Sequence, residues 1–206
     1  MQKVHILDYQ MGNLHSVFNR LKRLGINATV SSNLDDIKAA DKLVFPGVGH
    51  FGKAMTALES LNLLDTLNEI VLVKKKPILG ICLGMQLMAK KSEEGNVAGL
   101  GWFDAEVVRF TIDNKQQFKV PQVGWNQIEI NKQSLLMEGI NNLEEFYFVH
   151  AYHMKTEIKE DILNTTDYAY PFVSAIEKNN IFGVQYHPEK SHQAGIQLFK
   201  NFIDLK

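Results

Sequence analysis

The chain has 206 residues, of which 45% are hydrophobic and 22% charged, with a formal net charge of −1; this fits a soluble globular protein with a substantial core, not a disordered one. The near-neutral balance and the lack of long basic runs give no electrostatic reason to expect nucleic acid or an anionic membrane surface as a partner. A single cysteine excludes an internal disulfide and suits a reducing compartment, Met1-Gln2-Lys3 leads into an apolar run too short for a signal peptide, and no stretch approaches the roughly 20 apolar residues of a membrane span, so a cytoplasmic protein is expected.

Val4 to Leu7 is a compact run of β-formers that passes through Tyr9-Gln10-Met11-Gly12-Asn13 into a helical pattern. Leu14, Val17, Phe18, Leu21 and Leu24 recur at helical spacing, with Asn13 placed to cap the first turn and Gly25 to end the last. Ala28-Thr29-Val30 opens a second unit, with a short helix after Ser32-Asn33, and Leu43-Val44-Phe45 a third that ends in Pro46-Gly47-Val48-Gly49. One longer helical region is predicted from Lys53 to Val73, with Lys74-Lys75-Lys76 as its solvated end, before a fourth strand, Ile78 to Ile81. Strands alternating with helices predict a parallel sheet covered on both faces.

Beyond Gly101 the pattern changes to short extended segments. They run from Ala105 to Phe110, Phe118 to Val120, Gln127 to Ile130, Phe146 to Val149, Phe172 to Ile176 and Ile181 to Val184, and Ile196, Phe199, Lys200 and Ile203 suggest a closing helix. There is no linker, low-complexity tract or repeat between the halves. The expected fold is α/β: a mostly parallel central sheet with helices on both faces plus an added antiparallel strand layer, in one domain over residues 1–206.

The sole cysteine lies in Gly80-Ile81-Cys82-Leu83-Gly84-Met85-Gln86. A core strand gains nothing from losing two side chains, whereas a sharp strand-to-helix turn requires it, because side chains there would meet the neighbouring strand and helix. The thiol would stand at the tip of such a turn. An unperturbed thiol, with a pKa of about 8.5, is mostly protonated at neutral pH and needs a base beside it. Gln185-Tyr186-His187-Pro188-Glu189 can supply one: His187 and Glu189 are spaced i, i+2 where a strand ends, so carboxylate can orient imidazole and imidazole face sulfur. A Cys82-His187-Glu189 triad is therefore expected, with oxyanion donors from the Leu83 amide and from Gly47-Val48-Gly49 on the neighbouring strand's end.

Other residues have plainer readings. His150 and His153 have a spacing metal ligands sometimes show, and His-Pro-Glu opens a zinc-deaminase pattern, but the paired cysteines of that pattern are missing and no metal is expected. His5, His15 and His50 read as structural or solvated, and Trp102 and Trp125 as core aromatics with a polar handle.

These motifs together resemble the class I (triad) glutamine amidotransferases along nearly the whole chain. Within that family, Asp8 to Leu14, Pro46 to Phe51, Val120 to Asn126 and Tyr147 to Tyr152 are similar to the glutaminase subunit of imidazole glycerol phosphate synthases. The resemblance implies hydrolysis of L-glutamine without a cofactor. Cys82 attacks the side-chain amide, His187 protonates the departing ammonia, and Gln86, Glu94 and the Ala151-Tyr152 loop hold the substrate. It also implies a (β/α)₈-barrel cyclase partner that receives the ammonia to make imidazole glycerol phosphate and an aminoimidazole carboxamide ribonucleotide, with Asn13, Gln122, Trp125 and Lys190 facing it.

Gln10, Ala151 and Gln122-Val123 depart from the family's usual glycine, serine and His-Met. None belongs to the triad; they bear on the acceptor. Leu100 to Glu106 resembles paralogues that feed ammonia to a cyclase-like subunit in surface-polysaccharide sugar modification, which is the alternative reading. A stand-alone cysteine hydrolase and a non-catalytic binder are the others. The first usually has histidine after the nucleophile, where Leu83 stands here, and the second is expected to have lost a triad residue.

Overall fold

The computed structural model describes residues 2–205. Strand β1 (Val4–Leu7) is fully buried, and α1 (Leu14–Arg23) starts where Asn13 accepts a hydrogen bond from Ser16 N at 3.3 Å and ends ahead of Gly25, whose φ is +74°. β2 (Ala28–Ser31) and α2 (Leu34–Ala39) repeat the unit, with Asn33 capping α2 by accepting from Asp35 N and Asp36 N. β3 (Lys42–Gly47) is buried throughout, Lys42 included. The Lys42 ammonium donates to the carbonyls of Phe202, Ile203 and Leu205, so it satisfies acceptors that the end of the closing helix leaves unpaired.

The helix predicted from Lys53 to Val73 is broken. α3 (Phe51–Ser60) is capped by the His50 ring, which accepts from Gly52 N at 3.0 Å, and Asn62 at φ +54° separates it from α4 (Leu63–Asn68) and a π-helical turn, Glu69–Val73. Leu58, Leu63, Leu67 and Ile70 are all buried across the break, so the apolar periodicity carries no sign of it. The lysine cluster is not wholly solvated: Lys76 Nζ reaches back to the carbonyls of Lys38 and Ala40.

β4 (Ile78–Cys82) runs directly into α5 (Leu83–Gln86), a single turn. Then come β5 (Lys91–Ser92), β6 (Val97–Ala98), β7 (Glu106–Arg109), β8 (Gln122–Gln127), β9 (Glu129–Ile130), β10 (Glu145–His150), β11 (Tyr152–Lys155), β12 (Ile162–Tyr168), β13 (Tyr170–Lys178) and β14 (Ile181–Val184), before α6 (His192–Asp204). Phe118 to Val120, predicted as a strand, forms none. The polar run Asn164 to Asp167 does, inside β12, because pairing with β13 satisfies its backbone.

Strands β2, β1, β3, β4 and β14 lie side by side and parallel. β14 pairs antiparallel with β13, and the same sheet continues through β11, β7, β5 and β6. The antiparallel strands thus mostly extend the parallel sheet, while β8 and β10 form a separate ribbon. Successive side chains enter two apolar layers. Leu43 and Phe45 pack with Leu58 and Leu67, whereas Val44 packs with Leu21, Phe199 and Phe202. Each such side chain contributes about 1.5–3 kcal/mol when fully buried.

Candidate active site

The β4–α5 junction is a strained turn. Cys82 has φ +54° and ψ −110°, outside the regions a residue with a side chain favours. A Cβ on Gly84 would lie 1.7 Å from the Phe45 carbonyl oxygen, and one on Gly80 would lie 2.8 Å from Gly84 C and Met85 N. The two glycines flanking the cysteine therefore let α5 press against β3 and fold back on β4. Parallel pairing sets Gly47 beside Cys82 and Val184 beside Ile81, so the carboxyl ends of β3, β4 and β14 come together.

The segment after β14 is tied down by its backbone. His187 N donates to Tyr147 O at 2.9 Å, Ser191 Oγ donates to His187 O at 2.7 Å, and Arg20 Nη2 donates to Glu189 O at 2.9 Å. His187 Nδ1 and Glu189 Oε1 are 2.8 Å apart with both side chains buried. The carboxylate accepts, so Nδ1 carries the proton and Nε2 is the nitrogen left for Cys82. Nε2 is buried and, among the described residues, makes no hydrogen bond of standard geometry. Burial disfavours the imidazolium, but the Cys82 sulfur and the Glu189 carboxylate outweigh it, and the pKa of His187 is pushed up to about 10. An imidazolium held beside sulfur favours a thiolate–imidazolium pair, the reactive form for attack on an acyl carbon.

Beside the sulfur lies a cavity of about 380 Å³. Val48, Gly49, Leu83, Gln86, Glu94, Ala151 and Tyr152 all line it; of the predicted substrate and oxyanion residues, only Gly47 does not. Gly47 faces a smaller hollow of about 10 Å³ on the other side of the elbow, shared with Asn13, Val48, His187 and Glu189. Glu94 accepts from Phe51 N at 2.7 Å, which fixes a carboxylate in the cavity wall. A larger groove of about 1370 Å³, between β7, β11 and β13, contains none of the triad residues. Chemistry, not size, locates the site.

Two residues beside the site, His150 in the cavity wall and Gln185 behind the sulfur, were given no site role by the sequence. His150 is buried, held by Tyr152 O at its Nδ1 and by the Gln122 amide at its Nε2, and burial lowers its pKa to about 3, so it is neutral. Nδ1 donates to the Tyr152 carbonyl, so Nε2 of the neutral ring is an acceptor; Gln122 Oε1 lies 3.0 Å from it, and a half-turn of that amide brings its NH₂ there instead. Gln185 is fully buried, with Nε2 3.6 Å from Cys82 Sγ. Its signal was present: Gln185, His187 and Glu189 follow at period two.

The predicted partner-facing residues divide. Asn13 and Lys190 are exposed, and Lys190 Nζ lies 5.3 Å from the Tyr147 ring centre. Trp125 is 44% exposed, contrary to its reading as a core aromatic, and stacks on His192 at 4.8 Å. Trp102 is a core residue and donates to Asn68 Oδ1 at 2.8 Å. Gln122 is buried against His150 and offers no surface; its neighbour Val123 does, at 59% exposure.

Known proteins of similar length match the chain from end to end. The family model for glutamine amidotransferase class-I matches residues 5–205. Imidazole glycerol phosphate synthase subunit HisH 2 of Pseudomonas aeruginosa is 46% identical over 200 residues, covering 97% of this chain and 98% of its own. The subunit of the same name from Methanococcus maripaludis is 45% identical with the same coverage. Among solved structures, a glutamine amidotransferase matches with a TM-score of 0.74 at 18% identity, covering 98% of this chain and 97% of that one, a likeness of fold.

Proposed function

The chain belongs to the class-I glutamine amidotransferase family, and from that premise we propose that it is, over residues 1–206, the glutaminase subunit of an imidazole glycerol phosphate synthase. The observation that carries this reading is the buried His187–Glu189 pair, 2.8 Å apart, at the strained Cys82 turn, in a chain 46% identical over nearly its full length to a subunit of that name.

Glutamine enters the cavity with its α-ammonium toward Glu94 and its side-chain amide at Cys82. The thiolate adds to the amide carbon, and the oxyanion meets the amides of Leu83 and of the Val48-Gly49 segment. His187, protonated at Nε2, gives that proton to the nitrogen as the carbon–nitrogen bond breaks, leaving ammonia and a γ-glutamyl thioester. Water, losing a proton to His187, then cleaves the thioester to glutamate and returns the thiolate. Glu189 stabilises the imidazolium at both steps without taking its proton.

Ammonia in bulk water at neutral pH is mostly ammonium and cannot attack as a nucleophile, so it must travel sheltered from water. A hollow of about 10 Å³ between His187, Glu189, Val48 and the exposed Asn13 lies on the side of the triad where such a passage would begin. Val123, Trp125, Tyr147 and Lys190 lie near one another on and beside the β8–β10 ribbon, with Trp125 paired to Tyr147 across it. This face suits a (β/α)₈-barrel cyclase that consumes the ammonia, and cytoplasmic localisation accords with such a role.

The test is synthesis by the reconstituted complex. Cys82→Ser is expected to abolish glutamine-dependent synthesis and to spare synthesis from added ammonium; loss of both overturns the separation of glutaminase and acceptor sites. High glutaminase turnover by the isolated chain, unchanged when cyclase is added, overturns control by the partner. The second reading, in which the same ammonia modifies a surface-polysaccharide sugar, is supported by Ala151 at the substrate rim and by the exposed Val123, where the usual histidine-biosynthetic residues differ. It predicts that the cognate cyclase-like subunit releases no imidazole glycerol phosphate.

A further inference from the structure

Gln185 takes part in none of the steps above, yet its side chain lies between the nucleophile and the substrate wall. Its carboxamide is fully buried, and the orientation of that group is forced from a distance. The Tyr152 carbonyl can only accept, so the Gln86 side chain must turn its NH₂ toward it, at 2.9 Å. The same NH₂ donates to Gln185 at 2.9 Å, which requires the oxygen of Gln185 there. The nitrogen of Gln185 is then left facing Cys82 Sγ, at 3.6 Å. A backbone carbonyl in the substrate loop thus dictates, through two amides, that sulfur receives a donor.

A donor at that distance distinguishes the two forms of sulfur. It stabilises a thiolate, whose lone pairs and charge face the N–H, more than a thiol. The competing contact, from Sγ to the Val149 carbonyl, suits the thiol, but at 4.0 Å it is at the limit of a sulfur hydrogen bond. The backbone of Gln185 is itself fixed, its N–H donating to Ser174 O at 2.9 Å, so the side chain has a rigid base.

We propose that Gln185 is a positioning residue for the glutaminase step: held by Gln86 and through it by the Tyr152 carbonyl, it donates a hydrogen bond to the Cys82 sulfur that supports the attacking thiolate and aligns it with the substrate cavity. The chain Tyr152–Gln86–Gln185–Cys82 links the loop that binds glutamine to the atom that attacks it. The role in glutamine hydrolysis rests on the function proposed above, whereas the hydrogen bond to sulfur does not.

Cys82 is the only cysteine, so alkylation of the full chain by iodoacetamide reports on it alone. In Gln185→Met, which keeps the length and loses the donor, the midpoint of the alkylation rate against pH is expected to rise by about one pH unit, the equivalent of one hydrogen bond to a charged group. With the cyclase present, kcat for glutamine should fall about 10- to 100-fold with KM changed far less. Gln86→Met leaves Gln185 without its anchor and must move the alkylation midpoint in the same direction, which decides the matter if Gln185→Met does not fold. A melting temperature lowered in Gln185→Met with the alkylation profile unmoved assigns the residue to packing alone and overturns the proposal, as does an unmoved profile in Gln86→Met when that is the variant measured. If the unsubstituted complex does not hydrolyse glutamine while the profile still shifts, the substrate assignment falls and the positioning role stands.

Discussion

Gly84→Ala tests whether the nucleophile turn is held by close packing of backbone on backbone. The added methyl would lie 1.7 Å from the Phe45 carbonyl oxygen, half the shortest ordinary contact of 3.4 Å, and the obstacle is main chain inside β3. No rotamer change relieves it. Either α5 lifts away from β3 or β3 shifts against β4, and the cost is at the upper end of overpacking, about 3 kcal/mol. For a chain of this length that corresponds to a fall in Tm of about 6–12 °C. Lifting α5 also moves Cys82 relative to His187, and a displacement of about 1 Å at a reacting atom costs about 10²-fold in rate. Gly25→Ala is the control: its Cβ meets nothing within 4 Å, so only the strain of φ +74° remains, about 1 kcal/mol, with no change in turnover. The assay is thermal melting by circular dichroism together with glutaminase turnover in the cyclase complex. A Gly84→Ala protein that melts within about 2 °C of the parent and turns over at the parent rate refutes the packing argument.

His187 should leave a signature in pH. Its folded pKa of about 10 lies above the unfolded value of 6.5, so its contribution to stability is complete below pH 6.5 and is lost as pH rises through about 10. The Tm gap between the parent and Glu189→Gln is therefore expected to narrow across that window, and a gap that widens contradicts the assignment. His150 has the opposite sign: its folded pKa of about 3 lies below 6.5, the unfolded chain binds the extra proton, and stability falls by about 1.4 kcal/mol per pH unit on acidification through that range. Urea melts of His150→Gln should show a flatter acid limb. Trp125→Ala, which removes the exposed ring stacked on His192, is expected to weaken cyclase binding by about 2 kcal/mol, near 30-fold in Kd by calorimetry, while glutamine still protects Cys82 from alkylation in the isolated chain. Unchanged affinity removes the ribbon from the docking face.

Much of this protein was legible before its structure because the relevant signals are local. The cap at Asn13, the stop at Gly25 and the buried runs of β1, β3 and β4 each depend on a few adjacent residues. The break at Asn62 was not legible, because the apolar residues stay in phase across it and only the left-handed backbone interrupts the helix. β12 was hidden for a different reason: its central residues are polar, and it is a strand because β13 lies beside it. Nor did local pattern distinguish Trp125 from Trp102. One finds Asn68 inside the core and the other stacks on His192 at the surface.

The sequence by itself determined the chemistry: glycines two residues either side of Cys82 permit the turn, and His187 with Glu189 two residues on supply base and orienter. Those requirements are steric and covalent, and they act over a handful of residues. Only the tertiary structure decided what surrounds the sulfur. Parallel pairing of β3, β4 and β14 brings Gly47 and His187 to Cys82 from 35 residues before and 105 after it. The inward turn of Gln122 toward His150 and the path from the Tyr152 carbonyl through Gln86 to Gln185 follow from that assembly. A buried amide takes its orientation from whichever partner cannot change its own, and here that partner is a backbone carbonyl far away in the chain.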